Sequence, residues 1–87
     1  MIALEQEIKQ FVLDTFLFGG SLDDIDEHAS FLANGTIDSL GVLELIAFAE
    51  ERYGVEVEDD EVVPANFDGV RRLANYIRSK QSVALAA

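Results

Sequence analysis

The 87 residues predict an all-α fold: a small four-helix bundle of three long helices and one short one, with a long first loop. Three observations lead there. Apolar residues recur at helical spacing in three separate windows, and glycine falls where the first two patterns stop. The one alternating stretch, Val55-Glu56-Val57-Glu58, has no second strand in the chain to pair with, and a lone strand is not stable.

The first helix is predicted from about residue 2 to residue 17, with Leu4, Ile8, Phe11, Val12, Thr15 and Phe16 on one stripe and Glu5, Gln6, Lys9 and Gln10 between them. Phe18-Gly19-Gly20-Ser21 ends it. From there to Ile37 the chain is irregular, but Leu22, Ile25, Phe31 and Leu32 are spaced as core anchors, so the segment reads as an ordered loop and not a linker. The second long helix is predicted from about Ser39 to Tyr53, closed by Gly54 as a left-handed cap. It is more apolar than one buried stripe requires. Val42, Leu45, Ile46, Ala49 and Tyr53 form a core face, while Leu40, Leu43 and Ala47 form a second, partly exposed stripe flanked by Glu44. Val55–Glu58 then reads as an extended connector, and Asp59-Asp60-Glu61-Val62-Val63 as a single acidic helical turn limited by Pro64.

Asp68 is placed to cap the last helix, in which Val70, Leu73, Ala74 and Ile77 repeat at i, i+3, i+4 and i+7. Phe67 just before it is expected in the core, and Arg78 and Lys80 suit the helix's C-terminal end. The domain is predicted to span residues 1–80, with 81–87 a frayed tail.

Composition narrows the function. Without cysteine there are no disulfides, thiolate catalysis, cysteine-ligated zinc or iron–sulfur clusters. A hydrophobic content of 49% supplies a core for one domain. A net charge of −11 argues against nucleic acid and anionic membranes and for basic partners. The acids concentrate from Glu44 to Glu61, with Arg52 the one opposing charge, a pattern that suits a solvated face and a docking surface alike. No apolar run is long enough to cross a bilayer, and Met1–Glu7 lacks the pattern of a secretory signal, so a cytoplasmic monomer is expected.

Ser39 lies where the turn-forming run Asn34-Gly35 gives way to the helical pattern. The first turn of a helix has unpaired N–H groups and a partial positive charge, so a phosphate on a hydroxyl there is favoured. The same position suits an N-cap, for which Ser39 and Asp38 are both candidates.

Gly35-x-x-Asp38-Ser39-Leu40 resembles the signature around the modified serine of acyl and aminoacyl carrier proteins, and the resemblance continues through Leu43-Glu44-Leu45, Glu50-Glu51, Tyr53-Gly54-Val55-Glu56-Val57 and Val70–Ile77. It covers the chain from about residue 4 to residue 79. The resemblance implies a non-catalytic carrier. A phosphopantetheinyl transferase would place 4′-phosphopantetheine from coenzyme A on Ser39, with Asp38 and Leu40 beside the arm. Activating ligases and acyl-processing enzymes with basic patches would dock on Leu43, Glu44, Ala47, Glu50 and Glu51. Cargo of acyl or aminoacyl type would travel as a thioester.

The residues agree with that division of labour. His28 is the single histidine and lies in the loop, so no nucleophile–base pair is visible, and an aspartate such as Asp38 is too weak a base to activate a serine hydroxyl alone. Gly41 and Arg52 depart from the fatty-acid carriers, which have acids near both positions, and Gly41 inside a helix suggests close approach by a partner or the arm. Phe11, Phe16, Phe31, Phe48 and Phe67 would compete with cargo for interior space.

Three other functions compete for the same residues. A Gly-Asp-Ser-Leu hydrolase fails because Ile37 stands where its glycine belongs and the chain is too short for that fold. A calcium loop from Asp24 fails at Ala29 and Gly35. A helical protein–protein interaction module without a prosthetic group is the alternative that composition allows.

Overall fold

The computed structural model describes the backbone of residues 3–86 and the side chains of residues 3–81; the predicted helix start at Ile2 lies outside these. Helix α1 spans Leu4–Val12 and continues through a π turn, Leu13–Leu17. After a 3₁₀ turn at Leu22–Asp24 come α2 (Phe31–Asn34), α3 (Gly41–Tyr53), a second 3₁₀ turn at Asp59–Glu61, α4 (Pro64–Phe67) and α5 (Val70–Ala86). Three main helices, short turns between them and a long first loop bear out the all-α bundle.

The helical stripes point inward. Ile8 and Val12 of α1, Leu45 and Ala49 of α3, and Val70, Leu73, Ala74 and Ile77 of α5 are fully buried in one cluster, joined by Phe31, Ile37 and Phe67. Phe48 was not assigned to the core face of α3, yet its ring stacks on Phe11 at 4.2 Å between centroids, which turns the buried face of α3 toward α1. Val55–Glu58 is the expected connector, and Val57 donates its N–H to Glu50 Oε2 at 3.2 Å.

Several local predictions change. Pro64 limits the acidic turn, which ends at Glu61, but it also begins α4, since a proline without an N–H fits the first position of a helix. Leu32 is exposed instead of anchoring the core. Helix α5 carries its backbone past Lys80 to Ala86, beyond the predicted boundary; Ala87 lies outside the described residues. Arg78 and Lys80 pair sideways with Glu5 and Glu61 instead of with the end of α5.

Asp68 does not cap α5. Its carboxylate accepts from the Ser30 hydroxyl and, at 2.9 Å, from the Leu32 N–H, so it holds the start of α2. The first turn of α5 is served instead by the loop: Arg71 N–H donates to the Glu27 carbonyl at 2.9 Å. Gly69 permits this approach, with φ 147° and the Ala29 carbonyl 2.9 Å from where a Cβ would stand.

Glu5, expected among solvated residues, is buried. Arg78 grips it with two nitrogens at 2.6 and 2.8 Å and Arg71 adds a third at 3.0 Å, tying α1 to α5, while Arg71 also reaches Glu27 in the loop. The Arg78 hydrogen bonds, against burial and with help from Arg71, bring the Glu5 carboxyl down to about 2 from its ordinary 4.5. Because the folded value is depressed, its stabilisation is present above about pH 4.5 and fades as pH falls toward 2. Both guanidinium groups are nearly half exposed, so solvent screens the pair and its worth is about 2 kcal/mol. Glu5→Gln is therefore expected to lower the thermal midpoint at pH 7 by roughly 8–16 °C. The gap from wild type should narrow in melts taken from pH 4.5 down to 2.5; a constant gap contradicts the assignment.

Candidate functional site

The path into α3 is set by short-range chemistry. Gly35 closes α2 in the left-handed region at φ 75°, Asn34 Oδ1 accepts from the Thr36 N–H at 3.0 Å, and Ile37 is buried as a plug. Asp38 Oδ1 then accepts from the Gly41 N–H at 2.8 Å, so the oxygen that caps α3 comes from Asp38. Ser39 and Leu40 form the turn above that cap, both exposed, and Leu40 is 74% so. The two candidates for the cap are thus separated, and the Ser39 hydroxyl is left at the surface over the positive end of a 13-residue helix.

Gly41 is buried, and a Cβ there would come 2.6 Å from Ile37 Cγ2 and 2.9 Å from Phe16 Cε1. The glycine accommodates the chain's own side chains, not an approaching partner. Its backbone pins the end of α1 beside the start of α3.

Beside Ser39 opens an apolar cleft of about 200 Å³. Phe31 and Leu32 of α2, Val42 of α3, and Val62, Val63 and Phe67 around α4 line it. Of these, the sequence leads one to expect Phe31 and Phe67 in the interior space that cargo would need, but not Leu32, Val42, Val62 and Val63 beside them. The available signal was Val62-Val63, two apolar residues directly after an acidic turn, which the structure leaves about 40% exposed at the lip. The acidic turn is fastened to α5 by Glu61, whose carboxylate accepts from Tyr76 Oη at 3.1 Å and Lys80 Nζ at 2.9 Å. Lys80 and the Glu58 N–H hold that carboxyl below its usual range, while burial and Glu61 push the Tyr76 hydroxyl up to about 12. This carboxylate is one tie of that wall; the Asn66 amide, which donates to the Glu61 carbonyl at 2.8 Å, and the buried Phe67 ring against Tyr76 are others.

The predicted docking residues divide. Leu43 is 63% exposed, Glu44 and Glu51 are exposed, and Ala47 is half-buried between them, so these four share the outer face of α3. Glu50 is also exposed, but its carboxylate is engaged with the Val57 N–H and serves the connector. Arg52 turns back to Glu7 at 3.5 Å, near the Tyr53 hydroxyl that donates to the same oxygen at 3.1 Å. His28 lies exposed in the loop, its ring beside the Glu27 carboxylate. Among the described residues no group of His, Asp and Glu side chains could hold a metal ion, and no helix is long and apolar enough to cross a membrane.

Residues 17–77, which include Ser39 and the lining of the cleft, match the family described as "Phosphopantetheine attachment site". The chain belongs to the acyl carrier protein family. It is 31% identical over 80 residues to an acyl carrier protein of Nitratidesulfovibrio vulgaris strain DP4, covering 92% of this chain and all of that one. An acyl carrier protein of Zymomonas mobilis subsp. mobilis is 40% identical over 57 residues, 66% of this chain and 70% of the relative. Among solved structures, a chain in one described as "Crystal structure of FAD-dependent dehydrogenase" superposes with a TM-score of 0.69 at 33% identity, over 80% of this chain and 97% of that chain. As a member of the acyl carrier protein family this chain is a non-catalytic carrier whose prosthetic group is 4′-phosphopantetheine.

Proposed function

We propose that Ser39 is the attachment point of the phosphopantetheine arm and that the protein carries acyl or aminoacyl groups on it to partner enzymes. The observation that carries this reading is the exposed Ser39 hydroxyl at the mouth of an apolar cleft, relieved of capping duty by Asp38. The residues fit the group: Ser39 is exposed and borders the cleft, the helix end favours a phosphodiester's charge, and Leu40 and Val42 offer apolar surface for the start of the arm. When bound, the group supplies a terminal thiol that holds cargo as a thioester.

In loading, Ser39 Oγ attacks the β-phosphorus of coenzyme A, a new P–O bond forms, the pyrophosphate P–O bond breaks, and adenosine 3′,5′-bisphosphate leaves. The Oγ proton passes to a base on a phosphopantetheinyl transferase, since the neighbouring Asp38 is too weak a base and its carboxylate is engaged by the Gly41 N–H. Asp38 keeps the turn fixed so that Oγ is presented in one geometry. A cytosolic setting goes with coenzyme A as donor.

The cleft, at about 200 Å³, is smaller than the roughly 300–1,000 Å³ of pockets that enclose whole ligands. Phe11, Phe16 and Phe48 fill space between α1 with its π turn and α3 with neighbouring rings. Both facts favour short cargo, or cargo left largely outside. The likeness to a chain in a structure described as an FAD-dependent dehydrogenase favours a flavoenzyme among the cargo-processing partners.

The test is incubation with coenzyme A and a purified broad-specificity phosphopantetheinyl transferase, read by intact mass. A gain equal to the arm is expected. No gain under conditions that fully load a control carrier puts the bare interaction module ahead. Glu44→Lys is expected to lower kcat/KM for loading about three- to tenfold through repulsion of a basic partner, with helical circular dichroism unchanged and stability within about 0.5 kcal/mol. Loss of fold would instead make Glu44 structural.

A further inference from the structure

Phe18 is 86% exposed, the most exposed large apolar side chain among the described residues, and it stands where folding favours a different residue. It ends α1 and its π turn in the left-handed region, φ 57°, a position for which glycine is preferred because a Cβ strains the backbone there. No other non-glycine residue among those described has a positive φ. The phenylalanine neither buries its ring nor relaxes its backbone, so the packing of the fold does not account for it.

Its location supplies a reason. Phe16, two residues earlier, lies against Gly41, two residues after Ser39, so the turn bearing Phe18 sits at the Ser39 end of the bundle. Leu40 and Leu43, 74% and 63% exposed, rise from the same end. The acids placed close by are Asp24, whose carboxylate lies 3.4 Å from where a Cβ on Gly20 would stand, Asp26, which shares a depression with Leu17 and Asp24, and Asp38 at the start of α3. Between Lys9 and Arg52 the chain has no lysine or arginine. An exposed aromatic ring in an acidic field matches an apolar pocket rimmed by arginine or lysine.

We propose that Phe18 is the aromatic anchor by which the protein docks onto the enzyme that modifies Ser39, its ring seated in such a pocket. The proposal rests on the reading of Ser39 as the attachment point. An enzyme acting on the Ser39 oxygen must bring its own surface to bonding distance, and so covers the neighbouring turn of α1. Enzymes that act at the far end of an arm can stand further off.

Phe18→Gly removes the ring and keeps the backbone conformation, so a docking role and a structural role separate. With coenzyme A and the same broad-specificity transferase, its KM for the carrier is expected to rise at least about tenfold while kcat stays within about twofold. Its thermal midpoint should be no lower than wild type, and Phe18→Tyr should restore KM to within about threefold of wild type. A KM for Phe18→Gly within twofold of wild type overturns the anchor, as does a rise that Phe18→Tyr does not reverse, or a fall in its thermal midpoint. If wild type itself is not loaded, the reading of Ser39 fails; if wild type and Phe18→Gly load alike, the anchor alone fails.

Discussion

Ser39→Ala is expected to abolish loading completely while leaving the thermal midpoint in place. The oxygen that satisfies the first turn of α3 belongs to Asp38, 2.8 Å from the Gly41 nitrogen, so deleting the serine hydroxyl removes no cap. Asp38→Ala should behave in the opposite way on stability, costing about 1 kcal/mol for the lost cap, or roughly 4–8 °C. Its loading should slow without disappearing, because the hydroxyl persists on a less fixed turn. Intact mass and thermal melts of the two variants, measured side by side, separate chemistry from capping. A fall in midpoint for Ser39→Ala, or a mass gain that survives it, would return Ser39 to an ordinary helix-start residue.

What the sequence shows of this fold and site depends on the range of the interaction. The buried faces of α1 and α5 were readable because a period of 3.6 residues is written locally, and Ile8, Val12, Val70, Leu73, Ala74 and Ile77 are all buried as that period requires. Phe48 was missed because its burial comes from stacking on Phe11, on another helix. The exposure of Leu40 and Leu43 was legible as surplus apolar residues on a helix that already had a core face.

Polar partners were harder to read. Asp68 has every local mark of a cap for α5, yet it serves Ser30 and Leu32, 38 and 36 residues back in the chain. Glu5 looks solvated in a helical wheel and is buried because Arg71 and Arg78 reach it from 66 and 73 residues away. Gly41 invited a functional explanation, whereas its nearest neighbours are Ile37 and Phe16 of the same chain. The attachment turn itself needs only Asp38 to Gly41, four consecutive residues, and that is why the sequence reading located it.

Gly69→Ala should cause a large loss of stability, because both the backbone angle and the space at this position exclude a methyl. At φ 147° an alanine is strained, at roughly 1–2 kcal/mol, and its Cβ would press the Ala29 carbonyl oxygen, 2.9 Å away, a backbone atom that cannot swing aside. Overpacking of this kind adds about 1–2 kcal/mol more. The combined cost of about 3 kcal/mol corresponds to a fall of roughly 12–24 °C in thermal midpoint. The strain falls where the first loop meets the last helix, because the Glu27 carbonyl that receives the Arg71 N–H and the Ser30–Leu32 turn held by Asp68 flank Ala29 on both sides. Phe31 and Leu32, one wall of the cleft, should loosen with it. The Asp38–Gly41 turn lies outside this junction, so loading measured well below the lowered midpoint should stay within about threefold of wild type. A midpoint within 4 °C of wild type would show that the loop yields freely at Ala29, and loss of loading in the cold would show that the serine turn depends on the loop more than its own hydrogen bonds indicate.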